Sequence, residues 1–415
     1  MSNSQRGDAA RAENTPAAKA ALKKGKRGPG QAIAITGLGC VGAPGRGLAQ
    51  QRVALTTGQC GLARWDDSSL PLAAILPIGR VQCTLPRAPG RTLTLALTAA
   101  KEALAHAQLS RPARGDCGVI LGSCTAGLPE SERAFFTDQE AVDPHYQGQQ
   151  THRLTHALAQ VLGCGGERSS HSVACASAAN AIAEACEWLR QGIAPCVLVV
   201  GADALTRVTM AGFYGLMLVD AQGTRPFTEE RHGMSLGEGA GALLLETVAH
   251  ARQRGIAPVA SLLGWGLSTD AYHATAPDPS GKYLDRCIAE CLDDAGLASN
   301  DIDYVNAHGT GTIDNDRQEA AVLSARFGAI PTASSKRIYG HTLGACAAIE
   351  AVASCLAIQD ACRWPSAGVE AATPFTNIRV VQQREATPLR AVLSTTLAFG
   401  GANAALCFGH AERAC

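Results

Sequence analysis

Hydrophobic residues along the chain form two kinds of segment, and these alternate. Runs of consecutive apolar, β-prone residues are typical of buried strands, whereas apolar residues spaced three or four apart are typical of amphipathic helices. The predicted strands are Ala32–Gly39, Cys117–Gly122, Val197–Asp203, Ala242–Glu246, Val259–Trp265, Ile302–Asn306, Pro331–Ser334 and Val392–Leu397. The predicted helices are Leu93–Ala107, Ala178–Leu189, Gly281–Ala295, Asp314–Phe327 and Gly344–Gln359. This alternation predicts an α/β fold.

The order of strands and helices restarts near Val259, and each half ends its βα units in glycine-rich turns. The pattern therefore predicts two similar halves, residues 32–258 and 259–411, although no letter-level repeat accompanies it. Within the first half, residues 204–239 show no clear period and are expected to be irregular. Residues 1–31 carry many Ala, Lys, Arg and Gly residues and almost nothing large and apolar, so we expect a disordered basic tail.

Composition narrows the class of protein. The 415 residues are 46% hydrophobic, which is enough for a large core. Lysine and arginine number 36 and so do aspartate and glutamate, so no bulk charge favours a nucleic acid or membrane partner. The 16 cysteines form no CxxC pairs, which argues against zinc sites and a disulfide framework. With no secretory segment and no apolar run long enough for a bilayer, we expect a cytoplasmic enzyme.

Four glycines, at positions 37, 39, 42 and 45, lie at the end of the first predicted strand and directly after it. They resemble a dinucleotide-binding loop, but that fingerprint must open a helix, and Pro44 with the additional glycines is incompatible with one. We therefore expect no nucleotide cofactor, and no cofactor or metal of any kind.

One cysteine lies where a nucleophile could be activated. Cys175 lies between the end of a predicted strand at His171–Val173 and the helix that starts near Ala178. The positive end of a helix dipole and unpaired N–H groups favour the thiolate. Most free cysteines are simply small core residues, so this interpretation depends on what else lies nearby.

Three loops in the second half supply candidate residues that could lie near Cys175. His308 follows a predicted strand in a loop of small residues, Lys336 and His341 flank a short segment before a helix, and Phe399 with Gly400 follows the last strand. In α/β proteins, the loops at the carboxyl ends of strands carry the chemistry. A histidine or lysine taken singly would more often be structural, and it is the recurrence of such loops that indicates a site.

These segments together resemble the β-ketoacyl-acyl carrier protein synthases, the elongating condensing enzymes of the thiolase superfamily. The motifs that carry the resemblance run from Ile33 to Gly409: the segment around Cys175, Arg225–Phe227 with Gly237–Gly241, Ser268–His273, and the three loops just described. The resemblance implies a thiolase-like five-layer αβαβα fold, with two mixed sheets between helices.

The resemblance also implies a role for each matching residue. Cys175 would accept the acyl chain from an acyl carrier protein, and the N–H groups of Cys175 and Phe399 would form the oxyanion hole. His308 and His341, as neutral Nε2–H donors, would stabilise the enolate formed when malonyl-carrier protein loses carbon dioxide. Phe399 would gate the site, with Gly400 giving its loop freedom. Lys336 and Glu350 would support the electrostatics.

Two substitutions define the type of synthase. Initiating synthases have asparagine in place of the second histidine, and degradative thiolases have a second cysteine in the turn that here holds Phe399. His341 and Phe399 therefore imply a decarboxylating, elongating synthase of fatty-acid, polyketide or aryl polyene biosynthesis. Cys346 stands where the family more often has alanine, and we expect this to change packing only.

Two other functions remain open at this point. The chain could be a catalytically silent partner that determines the chain length of another ketosynthase, although such partners lack the nucleophile. It could also be a Cys-His hydrolase or acyltransferase using Cys175 and His308, which would need a carboxylate to orient the histidine. The expected partners are acyl- and malonyl-loaded acyl carrier protein, with Arg207 as one candidate for a basic patch, and a second subunit in a homodimer or heterodimer.

Overall fold

The structure is a computed structural model that describes residues 31–85, 90–137, 148–368 and 372–414. The predicted basic tail, apart from Gln31, lies outside the described residues. The strands are β1 Ile33–Gly42, β2 Gly45–Arg46, β3 Cys117–Gly122, β4 Arg168–His171, β5 Cys196–Asp203, β6 Gly239–Glu246, β7 Ala260–Thr269, β8 Tyr304–Asn306, β9 Pro331–Ala333, β10 Cys362–Arg363, β11 Arg379–Val380, β12 Glu385–Ala386, β13 Ala391–Leu397 and β14 Ala402–Gly409. The α-helices are α1 Leu48–Thr57, α2 Arg91–His106, α3 Leu128–Phe136, α4 Thr151–Leu162, α5 Ser177–Arg190, α6 Arg207–Gly215, α7 Val248–Gln253, α8 Lys282–Ala295, α9 Ile313–Phe327, α10 Lys336–Tyr339 and α11 Cys346–Gln359.

Two five-stranded arrangements repeat one another. In the first half, β4, β3 and β5 are parallel, and β6 and β1 continue the sheet antiparallel. In the second half, β9, β8 and β13 are parallel, and β14 and β7 continue antiparallel in the same order. This equivalence confirms the prediction of two similar halves, which the letters of the sequence do not reveal.

The two sheets are hydrogen-bonded into one. Ile33–Ile35 at the start of β1 pair antiparallel with Ala260–Leu262 at the start of β7. The two expected mixed sheets are therefore joined at this seam, and one continuous strand order runs from β11 to β4.

The three largest hydrophobic cores of the described residues lie between the layers. The central core joins α5 and α11 to the inner faces of both sheets. A second core packs α2 and α4 on the first sheet, and a third packs α8 and α9 on the second. The resulting order of helix, sheet, helix, sheet and helix is the expected five-layer fold. Helix α11 is buried along nearly its whole length, as a helix that is apolar on all sides should be.

Two local predictions were wrong. The first strand does not stop at a glycine turn after Gly39 but continues to Gly42. A Cβ atom on Gly39 would lie 2.0 Å from the carbonyl oxygen of Ala99, so this glycine instead allows α2 to pack closely on the strand. The stretch expected to be irregular contains α6, whose first turn is capped by Thr206 accepting from the N–H of Thr209.

The segment that follows β3 is only partly described. It contains α3, and residues 138–147 lie outside the described part of the chain. Among the described helices, none has the length and apolar character that crossing a membrane requires.

Candidate active site

Cys175 lies in a tight turn between β4 and α5, as the sequence predicts. The residue before it, Ala174, has φ +43°, a left-handed conformation that costs an alanine about 1–2 kcal/mol. The hydroxyl of Ser177 accepts from the N–H of Val173 at 2.9 Å and donates to the carbonyl of Ala174 at 2.6 Å. These bonds hold the strained turn at the start of α5.

The thiol of Cys175 is almost enclosed, with 6% of the residue exposed. Burial raises its pKa to about 11, against the opposing effects of the Lys336 charge and of hydrogen bonds from the N–H groups of Phe399 and of Cys175 itself. The prediction that the junction favours the thiolate is therefore wrong in its net direction, because burial outweighs the favourable groups. Those two N–H groups are nevertheless the pair expected to form an oxyanion hole.

His308 lies just after β8, fully buried and held from two sides. Its backbone N–H donates to Glu319 at 2.8 Å. The ammonium group of Lys336 lies 2.8 Å from its carbonyl oxygen and 3.3 Å from its Nδ1 atom. Because an ammonium can only donate, Nδ1 is the acceptor and the proton of the neutral ring lies on Nε2.

His341 has the same tautomer as His308, and a different hydrogen bond fixes it. Its Nδ1 atom accepts the backbone N–H of Leu343 at 3.0 Å, which again places the ring proton on Nε2. Its ring centroid lies 5.2 Å from that of His308, and the two ring planes are perpendicular.

These two rings and the thiol come together. The Sγ atom of Cys175 and one nitrogen from each of His308 and His341 all lie within 4.8 Å of one another. The structure thus brings together three residues that the sequence places on three separate loops.

Both rings are neutral. Burial lowers the pKa of His341 to about 3, and the nearby Lys336 charge acts in the same direction. Burial, followed by the charges of Lys336 and His341, lowers the pKa of His308 well below its usual value. Neutral rings that carry Nε2–H are the donors that the resemblance requires.

Lys336 and Glu350 form a buried ion pair between Nζ and Oε1, with each side chain 2% exposed. Burial alone would lower the pKa of Lys336, but the Glu350 carboxylate raises it, so the ammonium stays charged. The expected pairing of these residues is present, and it lies directly behind His308.

The cluster does not fit a resident metal ion. A protonated Nε2 has no free lone pair, and both Nδ1 atoms already accept hydrogen bonds. A second buried group of possible ligands, His308, Cys346 and Glu350, lies beside the Lys336 charge, which repels cations. The hydrogen bonding instead suits imidazoles that donate to an anion.

Phe399 and Gly400 lie in a 3₁₀ turn directly after β13. Gly400 has φ +80° and donates its N–H to the carbonyl of Ala274 at 2.8 Å. The Phe399 ring stacks on Phe213 of α6, with centroids 5.3 Å apart. Both rings and the three reactive residues line a cavity of about 270 Å³.

Sequence reasoning missed Phe213 and two buried carboxylates. Glu319 accepts from the N–H groups of His308 and Gly309, each at 2.8 Å, and from the hydroxyl of Thr395. Asp203, at the end of β5, accepts from the loop after β3 and from the N–H of Gly344. The signal for Glu319 was available, since an acidic residue on the buried face of an amphipathic helix needs partners.

One further sequence expectation needs correction. Cys346 does more than fill space, because its thiol donates to the carbonyl oxygen of Cys175 at 3.3 Å. The assignment of Arg207 to a basic patch stays a prediction; its guanidinium donates to the carbonyls of Ser68 and Ser69 and lies over the ring of Phe136, and these neutral partners leave its charge in place.

The comparisons with known proteins agree with this geometry. Residues 86–251 match the family described as the N-terminal domain of beta-ketoacyl synthase, and residues 259–370 match its C-terminal domain. A 3-oxoacyl-[acyl-carrier-protein] synthase 2 of Staphylococcus aureus (strain COL) is 32% identical over 335 residues, covering 76% of this chain and 81% of that relative. The chloroplastic 3-oxoacyl-[acyl-carrier-protein] synthase II of Arabidopsis thaliana is 30% identical over 410 residues, covering 91% of this chain and 75% of that relative.

Solved structures are similar over nearly the same span. The ishigamide ketosynthase/chain length factor superimposes with a TM-score of 0.84 at 29% identity, over 92% of this chain and 99% of that one. The AntDE:AntF complex, a type II PKS acyl-carrier protein with its ketosynthase bound to the hexaketide, superimposes with a TM-score of 0.84 at 27% identity, covering 92% of this chain and 100% of that one. The ketosynthase ApeO in complex with its chain length factor ApeC, from Xenorhabdus doucetiae, superimposes with a TM-score of 0.82 at 28% identity, covering 92% of this chain and 98% of that one.

Proposed function

This chain belongs to the β-ketoacyl synthase family, and on that premise we propose which of its residues carry the reaction. The chain is a β-ketoacyl-acyl carrier protein synthase, an acyltransferase that forms a carbon–carbon bond. The proposed catalytic and supporting residues are Cys175, His308, His341, Lys336, Phe399, Gly400 and Glu350.

The first step transfers the acyl chain. The sulfur of Cys175 attacks the thioester carbonyl of an acyl carrier protein, and the carrier thiolate leaves with the proton that the Cys175 thiol gives up. The oxyanion of the tetrahedral intermediate accepts hydrogen bonds from the N–H groups of Cys175 and Phe399. Both groups already point at the sulfur, which supports this assignment.

The second step breaks a carbon–carbon bond. The thioester carbonyl of malonyl-carrier protein accepts from the Nε2–H groups of His308 and His341. As carbon dioxide leaves, the electrons of the broken bond form an enolate whose oxygen these two donors stabilise. Lys336 keeps the proton of His308 on Nε2, and Glu350 holds Lys336 in place.

The third step forms the product. The enolate carbon attacks the thioester on Cys175, the new oxyanion occupies the same pair of N–H groups, and the Cys175 thiolate is expelled. The β-ketoacyl chain leaves on the carrier protein that brought the malonyl group. The reacting groups Cys175, His308 and His341 are buried, which limits the access of water that would otherwise protonate the enolate.

One observation carries this proposal: the Cys175 sulfur and the two imidazoles meet within 4.8 Å, with both rings fixed as Nε2–H donors. It also separates the proposal from the alternatives. A silent partner subunit does not need such a cluster. A Cys-His hydrolase needs a carboxylate on a histidine Nδ1, and here those atoms face Lys336 and the N–H of Leu343.

The test uses the purified chain with acyl- and malonyl-loaded carrier protein. We expect the acyl group on Cys175 by mass spectrometry, and a β-ketoacyl product. Cys175→Ala should lose condensation and keep carbon dioxide release from malonyl-carrier protein. Full elongation by Cys175→Ala would refute the nucleophile, and absence of any product from the wild-type chain would refute the condensing activity.

We further propose that the partners are acyl carrier protein and a second subunit, either an identical copy or a related ketosynthase-like chain. The carrier protein and the chain length factor bound to similar ketosynthases support this. We propose a cytoplasmic location, since 15 cysteines of the described residues are free thiols, as in a reducing compartment. The proposed organisation is an N-terminal half of residues 32–258 and a C-terminal half of 259–411.

The pathway is proposed as fatty-acid, polyketide or aryl polyene biosynthesis. The acyl group itself identifies it. Mass spectrometry of the chain trapped on Cys175 in the native host distinguishes a saturated acyl group from a polyketide or a conjugated polyene.

A further inference from the structure

Two thiols that the proposed mechanism does not use lie against the nucleophile turn. Cys124, in the loop after β3, points its Sγ atom at the carbonyl oxygen of Ala174, 2.9 Å away. Cys346, the first residue of α11, points its Sγ atom at the carbonyl oxygen of Cys175, 3.3 Å away. Sulfur donors from two different segments thus hold two consecutive carbonyls of one turn.

The first of those carbonyls determines where the nucleophile's own N–H points, and the second fixes the peptide that follows Cys175 and so holds the nucleophile from its other side. The carbonyl of Ala174 and the N–H of Cys175 belong to one planar trans peptide, so fixing the oxygen fixes the opposite direction of the N–H. That N–H is one of the two proposed oxyanion donors. A turn with alanine at φ +43° has a tendency to relax, and relaxation would rotate this peptide.

We propose that the thiols of Cys124 and Cys346 are positioning groups that fix the two peptide planes on either side of Cys175 and thereby aim its N–H at the oxyanion. This inference rests on the proposed function and adds two residues that act through Cys175 rather than on the substrate.

A buried carboxylate joins the two segments that supply the thiols. Asp203 accepts the N–H of Cys124 at 2.9 Å and the N–H of Gly344 at 2.7 Å on the same oxygen. Asp203 is fully buried, so both thiols are anchored to one rigid point.

The thiols remain donors at working pH. Burial raises the pKa of Cys124 and of Cys346 far above the usual value for a thiol, so each keeps its S–H proton. The oxygen of Ala174 also accepts from the hydroxyl and from the backbone N–H of Ser177, so loss of the Cys124 thiol should matter less than loss of the Cys346 thiol.

The experiment compares three rates in Cys346→Val, which keeps the shape of the side chain and removes the donor. Acylation of Cys175 by acyl-carrier protein passes through an oxyanion, whereas alkylation of Cys175 by iodoacetamide does not. We expect acylation to slow about tenfold, which is the size of effect expected for a misdirected donor. Alkylation should slow clearly less than acylation, because in alkylation the same N–H only stabilises the Cys175 thiolate. Carbon dioxide release from malonyl-carrier protein should stay within about twofold of wild type, and Cys346→Ser, which keeps a donor, should restore acylation.

Matched variants separate positioning from packing. Cys355→Val changes another buried cysteine of α11 and should leave all three rates unchanged. Cys124→Val should slow acylation less than Cys346→Val. If Cys346→Val is acylated at the wild-type rate, or if its acylation and alkylation fall in parallel, this inference is overturned while the proposed function stands. A wild-type chain that reacts with iodoacetamide but is never acylated would refute the proposed function, and the inference with it.

Discussion

The ammonium of Lys336 donates to the carbonyl oxygen of His308 at 2.8 Å and lies 3.3 Å from the Nδ1 atom of the same residue. One cation therefore fixes both the position of the loop after β8 and the tautomer of its histidine. The ion pair with Glu350 prevents this cation from turning away. A residue with no contact to substrate thus decides which histidine nitrogen can donate.

Lys336→Met tests whether Lys336 sets the tautomer of His308 in addition to stabilising the fold. We expect carbon dioxide release to fall at least about a hundredfold, since one oxyanion donor loses its fixed tautomer. Glu350 is left buried without its partner, so the free energy of unfolding should fall by about 3–5 kcal/mol. Urea denaturation and a decarboxylation assay measure the two effects.

A double variant is the control for that prediction. Lys336→Met with Glu350→Leu removes both charges and should recover most of the stability but none of the activity. Recovery of decarboxylation by the double variant would show that the lysine does not set the tautomer.

The two histidines should respond to replacement according to their donors. His341→Ala and His308→Ala should each reduce carbon dioxide release by about a hundredfold to a thousandfold. His341→Gln offers an N–H in a similar place and should retain more of the rate than His341→Ala. Equal losses in the two His341 variants would contradict a role as hydrogen-bond donor.

The depressed histidine pKa values predict an unusual pH profile. A group with its pKa lowered to about 3 is neutral at all higher pH, so His341 remains the required neutral donor in mild acid. The rate itself also follows Glu350, whose pKa burial raises to about 7, so the rings are best observed directly. Nitrogen NMR of the two imidazoles in Cys175→Ala should show neutral rings from about pH 5 to pH 8. Protonation of either ring with a midpoint near pH 6.5, the ordinary histidine value, would show that the rings titrate in the working range.

The lowered histidine pKa values also affect the free energy of unfolding, and they do so in a definite direction. In the unfolded chain these histidines have a pKa of about 6.5, so below that pH they bind protons that they do not bind in the folded site. Stability should therefore be complete above that pH and decline as the pH falls towards 3. Denaturation midpoints of wild type and His341→Gln, compared at several pH values, should show a smaller decline in the variant.

Gly400 offers a test of the loop that carries Phe399. A Cβ atom there would meet nothing within 4 Å, so the cost of Gly400→Ala comes only from its φ of +80°, about 1–2 kcal/mol. Acylation of Cys175 should slow, because the N–H of Phe399 moves with the loop. Gly400→Asn, which tolerates this conformation better, should be closer to wild type. If Cys175 is acylated as fast in Gly400→Ala as in wild type, backbone strain at this position does not affect the reaction.

The sequence predicted most of the strands and the loops that carry Cys175, His308 and Phe399, for a physical reason. Strands and their loops are local features, and the carboxyl ends of parallel strands collect loops at one edge. His308 after β8 and Phe399 after β13 illustrate this, since β8 and β13 are neighbouring parallel strands.

What escaped prediction depends on distances between segments far apart in sequence. Helix α6 was missed because glycines interrupt its apolar pattern, so the stacking of Phe213 on Phe399 could not be anticipated. The tautomer of His308 follows from the position of one lysine nitrogen. The raised pKa of Cys175 follows from burial, which a helix-end argument does not include.

The fold places Cys175 and Glu350 at its middle layer, and this separates two kinds of change to the sequence. Helix α5 begins just after Cys175, and α11 carries Cys346 and Glu350, with a sheet shielding these helices on each side. Helices α2 and α8 lie on the far faces of those sheets. Mutations on their outward surfaces can accumulate, and new docking partners can be acquired there, without displacing the atoms that make and break bonds.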